Sequence, residues 1–155
     1  MILQKEIKID EEDNFGTLHD KMSTAGAELV IETVKLIDED NVKLQPQDDS
    51  LASPARKITK ELCEINWENH AYKIHNLIRG LSPFPGAFFK KDEKIFKVYK
   101  SKINEEVNLA TGQIEQTKKE IFIGCGQGSL QILEIQPEGR KRMTTEEFLR
   151  GYTLN

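Results

Sequence analysis

Long apolar stretches are missing from this chain. No run approaches the roughly 20 residues that a bilayer-spanning helix requires, and the opening MILQKEIKID alternates apolar with charged residues where a secretory leader would carry an apolar block. The expectation is a soluble, cytoplasmic protein with no membrane partner. Cysteine is scarce as well: Cys63 and Cys125 lie far apart, without the paired spacing of a zinc site or the density of a disulfide framework. Both are expected to be reduced and structural, Cys125 as a small half-buried side chain between two glycines. Histidine excludes a metal centre in the same way. His70 and His75 are five residues apart on an expected helix, which turns them about 140° away from each other, and His19 stands alone beside Asp20.

Catalytic signatures are absent too. There is no G-x-S-x-G nucleophile motif, no H-E-x-x-H and no P-loop. The glycine-rich GCGQGS of residues 124–129 lies between two β-rich runs with no helix after it. Without a helix N-terminus it lacks the anion-binding geometry of a dinucleotide fingerprint, and it reads as a hairpin turn.

What the chain does have is a reversal of charge. Its 155 residues, 37% hydrophobic and 31% charged, suffice for one ordinary domain or a small domain with an attached piece. Residues 1–52 carry 5 Lys and 13 Asp+Glu, a net −8, whereas residues 53–155 carry 17 Lys+Arg and 13 Asp+Glu, a net +4. An acidic leader followed by a basic body suggests two structural units, the second with a polyanion as a possible partner.

The hydrophobic period divides the chain similarly. Residues 2–9 alternate as a strand does, and Phe15, Leu18, Met22, Ala25, Leu29 and Thr33 then recur at helical spacing behind a cap at Asp13 or Asn14. A strand and one long amphipathic helix have little to bury their apolar faces against, so they read as the end of a layered α/β domain. Exposed Phe15, Leu29 and Val30 make a dimer through this helix a possibility. The polar Pro/Ser/Asp-rich stretch around residues 43–54 reads as a linker. Beyond it, Trp67, Ala71, Ile74, Ile78 and Leu81 mark a helix capped by Asn66 and stopped before Pro83. From Gly86 the period becomes two, in AFF, KIFKVYKSKI, KEIFIGC and SLQILEIQ. Short strands of this number bury a core by curling, and a small closed antiparallel barrel is expected. Thr144 and Glu147 form a capping box for a short terminal helix.

Candidate binding residues fall in three basic clusters: Arg56, Lys57 and Lys60; Lys97, Lys100 and Lys102; and Arg140, Lys141 and Arg142. On a small barrel they would line a groove along a phosphate backbone, or they are three unrelated solubilising clusters. Between the helix and the first barrel strand, IRGLSPFPGAFF makes a hinge. Pro83 and Pro85 fix φ, Gly86 permits the bend, and Phe84, Phe88 and Phe89 are expected to seal helix to barrel. Arg79 either pins this corner through hydrogen bonds, the preferred reading, or faces a nucleic acid.

The stretch PARKITKELCEINWENHAYKIHNLIRGLSPFPGAFF resembles the segment joining the two domains of methionyl-tRNA formyltransferases, at Lys57, Thr59, Lys60, Ile65 to Trp67, Ile78, Arg79, Pro83, Pro85 and Gly86. MILQKEIKID, LQPQ and ILEIQPEGRKRMTTEEFL extend the resemblance over essentially the whole chain. It implies residues 1–42 as the remnant of a Rossmann-like formyltransferase domain, 43–54 as linker and 55–155 as an OB-type barrel that binds initiator methionyl-tRNA. The overall class is then mainly β with α. In that family 10-formyltetrahydrofolate and an Asn, His and Asp catalytic set belong to the N-terminal domain. Met1 matches an internal methionine of the family, so this chain is expected to be a C-terminal portion, with no cofactor of its own, inactive alone and partnered by the N-terminal catalytic domain. The alternative is the spacer domain of a related formyltransferase acting on amino-sugars or formyl-folate, which need not be basic.

Overall fold

The computed structural model describes residues 1–154, which divide into two compact units, Met1–Lys57 and a second beginning at Ile58. In the first, helix α1 spans Phe15–Asp38. Asn14 starts it with a capping box: its side chain accepts from Thr17 N at 3.0 Å and its own amide donates to Thr17 Oγ1 at 3.0 Å. Asp13 reinforces the cap by accepting from the Asp10 amide, Thr17 Oγ1 and Lys21 Nζ. Along α1, Ala25 is buried and Leu18, Leu29 and Thr33 are half-buried, whereas Phe15, Met22, Val30, Val34 and Ile37 are exposed.

The strand expected at residues 2–9 does not form. Alternation selects a strand only where another strand completes the ladder, and among the described residues none pairs with this segment. Its backbone is held at one end, where Met1 N donates to Gln45 O and Gln45 N to Met1 O, and Lys5 bonds Glu28 of α1 at 2.6 Å.

The second unit begins with the one-turn helix α2, Lys60–Cys63, and continues to α3, Ala71–Gly80. The α3 helix starts four residues later than Trp67, and its cap is His70, whose Nδ1 accepts from the Tyr72 amide at 3.1 Å. Asn66 instead closes a local turn by accepting from Glu68 N. The reason is tertiary. Trp67 O and Asn69 O both accept from Gly126 N, so residues 67–69 serve the glycine-rich turn and cannot serve a helix. A Cβ on Gly126 would lie 1.9 Å from Glu68 O, which explains glycine there.

Six strands follow: β1 Ala87–Lys91, β2 Lys94–Asn104, β3 Ile114–Gln116, β4 Ile121–Gly124, β5 Ser129–Pro137 and β6 Met143–Thr144. They form one antiparallel sheet in the order β1-β2-β5-β4-β3, with β6 on β5. This is a curled half-barrel of the OB type, not the fully closed ring that was expected: β1 and β3 end the path without pairing to each other. The β1 edge is covered by the chain after α2, where Ile65 N donates to Phe88 O at 2.6 Å. GCGQGS makes the β4–β5 hairpin turn, closed by Cys125 N donating to Gly128 O.

The core lies between the sheet and α3, whose Ala71, Ile74 and Ile78 are buried with Val98, Ile121, Ile123, Leu130, Ile132 and Ile135. Helix α4, Thr145–Leu149, starts with the expected capping box of Thr144 and Glu147. Its Phe148, fully buried, continues a chain of ring contacts from Trp67 through Phe89 and Phe96 to Tyr152. Both cysteines are free and buried. Phe88 and Phe89 are buried as expected, but Phe84 is 74% exposed and seals nothing.

Candidate nucleic-acid interface

Strand β2 sets the geometry of the basic residues. Phe96 and Val98 face inward, and the register against β5 then shifts, so that Val98 pairs with Ile135 but Lys100 with Glu134. The extra residue is Tyr99. Such a bulge places two successive side chains on one face: Lys100 is exposed there, Tyr99 beside it is buried under Arg142 and against Gly86, and Ser101 turns in to meet His75 Nδ1 at 3.0 Å. Lys97 and Lys102 share the outward face, paired in register with Gln136 and Gln131.

The β5–β6 turn folds onto this face. Tyr99 donates its hydroxyl to Gln136 Oε1 at 2.6 Å, and Gln136 Nε2 donates to Arg140 O at 2.7 Å. The Arg142 guanidinium lies over the Tyr99 ring at 4.6 Å and is paired with Glu134. Burial raises the Tyr99 phenol above its ordinary range, against the opposing pull of Arg142, so the hydroxyl stays protonated as a donor. Two of the three clusters, Lys97/Lys100/Lys102 and Arg140/Lys141/Arg142, thus belong to one face and its bordering turn. Lys100, Lys102, Arg140, Lys141 and Arg142 are exposed there, and Arg140 also lies 5.9 Å from the Tyr152 ring.

The remaining cluster spans the boundary between the two units. Arg56 and Lys57 are exposed at the end of the first unit, while Lys60 opens α2 in the second.

The corner between α3 and β1 is built against the same face, inside the second unit. Lys97 Nζ donates to Pro85 O at 2.9 Å. Gly86 has φ +86°, and a Cβ there would meet the Tyr99 ring at 3.0 Å and Lys97 at 3.3 Å, so both conformation and space demand glycine. Gly86 N donates to Leu81 O at 2.8 Å, and Pro83 is exposed beside the buried Ser82. Arg79 is half-buried, with Nε donating to Asn76 Oδ1 at 2.8 Å within α3.

Sequence reasoning passed over Tyr99 and Gln136 as parts of this face. An aromatic between lysines in FKVYKSK was the available signal, since alternation puts Tyr99 on the Lys97 face, whereas Lys100 joins that face only through the bulge. Two concavities occur elsewhere. One is walled by Glu61, Glu64 and Glu68 around Trp67, the other by Phe15, Leu18, His19, Met22 and Ser23 on α1. Neither suits a folate: the first would repel its anionic glutamate tail, and the second is offered by the side of one helix, about two turns long. Among the described residues no cluster of three or more His, Cys, Asp or Glu could hold a metal, and no helix is long and apolar enough to cross a membrane.

A curled antiparallel sheet flanked by α3 and α4 is the geometry with which sequence comparison agrees. Residues 57–153 match the family described as formyl transferase, C-terminal domain, and the chain belongs to that family. Among its relatives are the methionyl-tRNA formyltransferases of Thermodesulfovibrio yellowstonii, 44% identical over 156 residues, and of Caldanaerobacter subterraneus subsp. tengcongensis, 40% identical over 155. These alignments cover 100% and 99% of this chain and 50% of each relative, so the chain spans about half the length of the curated relatives it matches. In fold it is similar to HypX from Aquifex aeolicus in complex with tetrahydrofolic acid (TM-score 0.59, 21% identity, 83% of this chain and 24% of that one). It is also similar to the N-formyltransferase from Helicobacter canadensis in complex with folinic acid and dTDP-3-aminofucose (TM-score 0.58, 16% identity, 88% and 48%).

Proposed function

We propose that this chain is the tRNA-holding half of a methionyl-tRNA formyltransferase, which moves a formyl group from 10-formyltetrahydrofolate to the amino group of initiator methionyl-tRNA. The observation that carries this reading is the 40–44% identity to such enzymes along the whole chain, against 21% or less for the sugar-linked and HypX structures. It favours the tRNA reading over a spacer domain of an amino-sugar enzyme. Residues 1–42 are then the end of the catalytic domain, 43–54 a linker and 55–155 the RNA-binding domain. Folate binding and formyl transfer are assigned to catalytic residues other than these, and the chain alone is inactive.

The RNA-binding residues are Lys97, Lys100 and Lys102 with Arg140, Lys141 and Arg142, assisted by Arg56, Lys57 and Lys60. They differ in task. Lys97 and Arg142 spend hydrogen bonds on Pro85 O and Glu134, so they shape the face. Lys100, Lys102 and Lys141 meet phosphates because their side chains are solvent-exposed on that face and its bordering turn, a role that does not require Lys100 to lack a partner within the protein. The exposed apolar side chains of α1 fit contact with the remainder of an α/β domain, and nothing observed favours a dimer. Filter binding of initiator tRNA at low salt tests this reading. The double variant Lys100→Glu/Lys102→Glu should weaken binding about tenfold or more with unchanged circular dichroism; wild-type affinity in that variant would remove the face from the account.

A further inference from the structure

Among the described residues, Phe84 is the most exposed aromatic of the second unit, ahead of Tyr72 at 57% and Tyr152 at 40%. Phe84 is 74% exposed at the tip of the α3–β1 corner, between Pro83 and Pro85. Its neighbours are not loose. Ser82 is 1% exposed, Ser82 N donates to Arg79 O, Gly86 N donates to Leu81 O, and Lys97 Nζ holds Pro85 O at 2.9 Å. The ring is therefore presented to solvent from a fixed support, one residue from a carbonyl bonded to a β2 lysine.

From Lys97 the outward face continues through Tyr99 to Lys100 and Lys102, about 16 Å along an extended strand. Fixed exposed rings beside a run of cations recur where single-stranded nucleic acid is bound, because a ring stacks on any base while lysines follow the phosphates. A duplex offers no free base face to such a ring.

We propose that Phe84 is a stacking platform for an unpaired nucleotide of the bound RNA, whose neighbouring phosphates lie over Lys100 and Lys102. This rests on the RNA-binding reading above and adds to it a preference for a single-stranded region, with Lys97 and Gly86 as positioning residues for the platform.

The test is fluorescence anisotropy of the full chain with two labelled probes of equal length, a single-stranded RNA and a blunt RNA duplex. Phe84→Ala should lose about tenfold in affinity for the single strand and little for the duplex, with an unchanged salt slope, and Phe84→Trp should retain wild-type affinity. Because Phe84 is exposed, neither substitution removes core packing. Wild-type binding of the single strand that Phe84→Ala leaves unaltered overturns the platform while the RNA-binding reading stands, and points to a protein surface as the partner of the ring. Absence of binding to either probe by the unaltered chain overturns both.

Discussion

Lys97 donates its amine to the carbonyl of Pro85 at 2.9 Å, tying the outward face of β2 to the corner that ends α3. The lysine reached in this way belongs to a basic cluster legible in the sequence, yet its hydrogen bond makes it part of the scaffold.

Gly86 is the residue that this tie leaves least free. Alanine there must adopt φ +86° and place its methyl 3.0 Å from the Tyr99 ring. Gly86→Ala should cost about 1–3 kcal/mol of stability, read as a lower urea midpoint with unchanged slope. A wild-type midpoint would show that the corner is not constrained.

Cys125 should be chemically silent. Burial pushes its thiol up to about 11, and burial also raises Cys63, whose Sγ donates to Thr59 O. A thiolate is the reactive form, so at pH 8 an aromatic disulfide reagent should label both cysteines slowly in native buffer and rapidly in denaturant. Stoichiometric labelling of the native chain within minutes would contradict the buried environment.

Asp13 carries a pH dependence of defined sign. The hydrogen bond from Lys21, then that from the Asp10 amide, hold its carboxyl at about 2, below the ordinary 3.8. Folding therefore favours the ionised form. The contribution is complete above about pH 4 and is lost as the pH falls through about 2. The carboxyl carbon of Asp13 in an NMR titration should show this low midpoint, and Asp13→Asn should flatten the acid dependence of α1 helicity. A midpoint near 3.8 would mean that the cap is not formed.

Much of the fold was legible because its signals are local. The period of two in KIFKVYKSKI and SLQILEIQ gave β2 and β5, and Thr144 with Glu147 gave the start of α4. The failures share a cause, since each depends on a distant partner. Residues 2–9 alternate well and find no ladder, whereas Ile114–Gln116, only three residues long among turn formers, becomes β3 because β4 lies beside it. Asn66 has the chemistry of a cap, but Gly126 claims the carbonyls of Trp67 and Asn69 and moves the cap to His70. In the candidate site the lysines of β2 were visible, while their junction with Arg140 and Arg142 required the hydrogen bond between Tyr99 and Gln136. Phe84 read as a seal because nothing local distinguishes an aromatic that packs from one held out in solvent.

The most direct measurement is the affinity of the chain for initiator tRNA as a function of salt. If Lys100, Lys102 and Lys141 meet phosphates, log affinity should fall linearly with log salt, with a slope of about −2 to −3 for three contacts. Binding at low salt whose strength does not change on adding salt, or no binding at all, would contradict an electrostatic RNA-holding face.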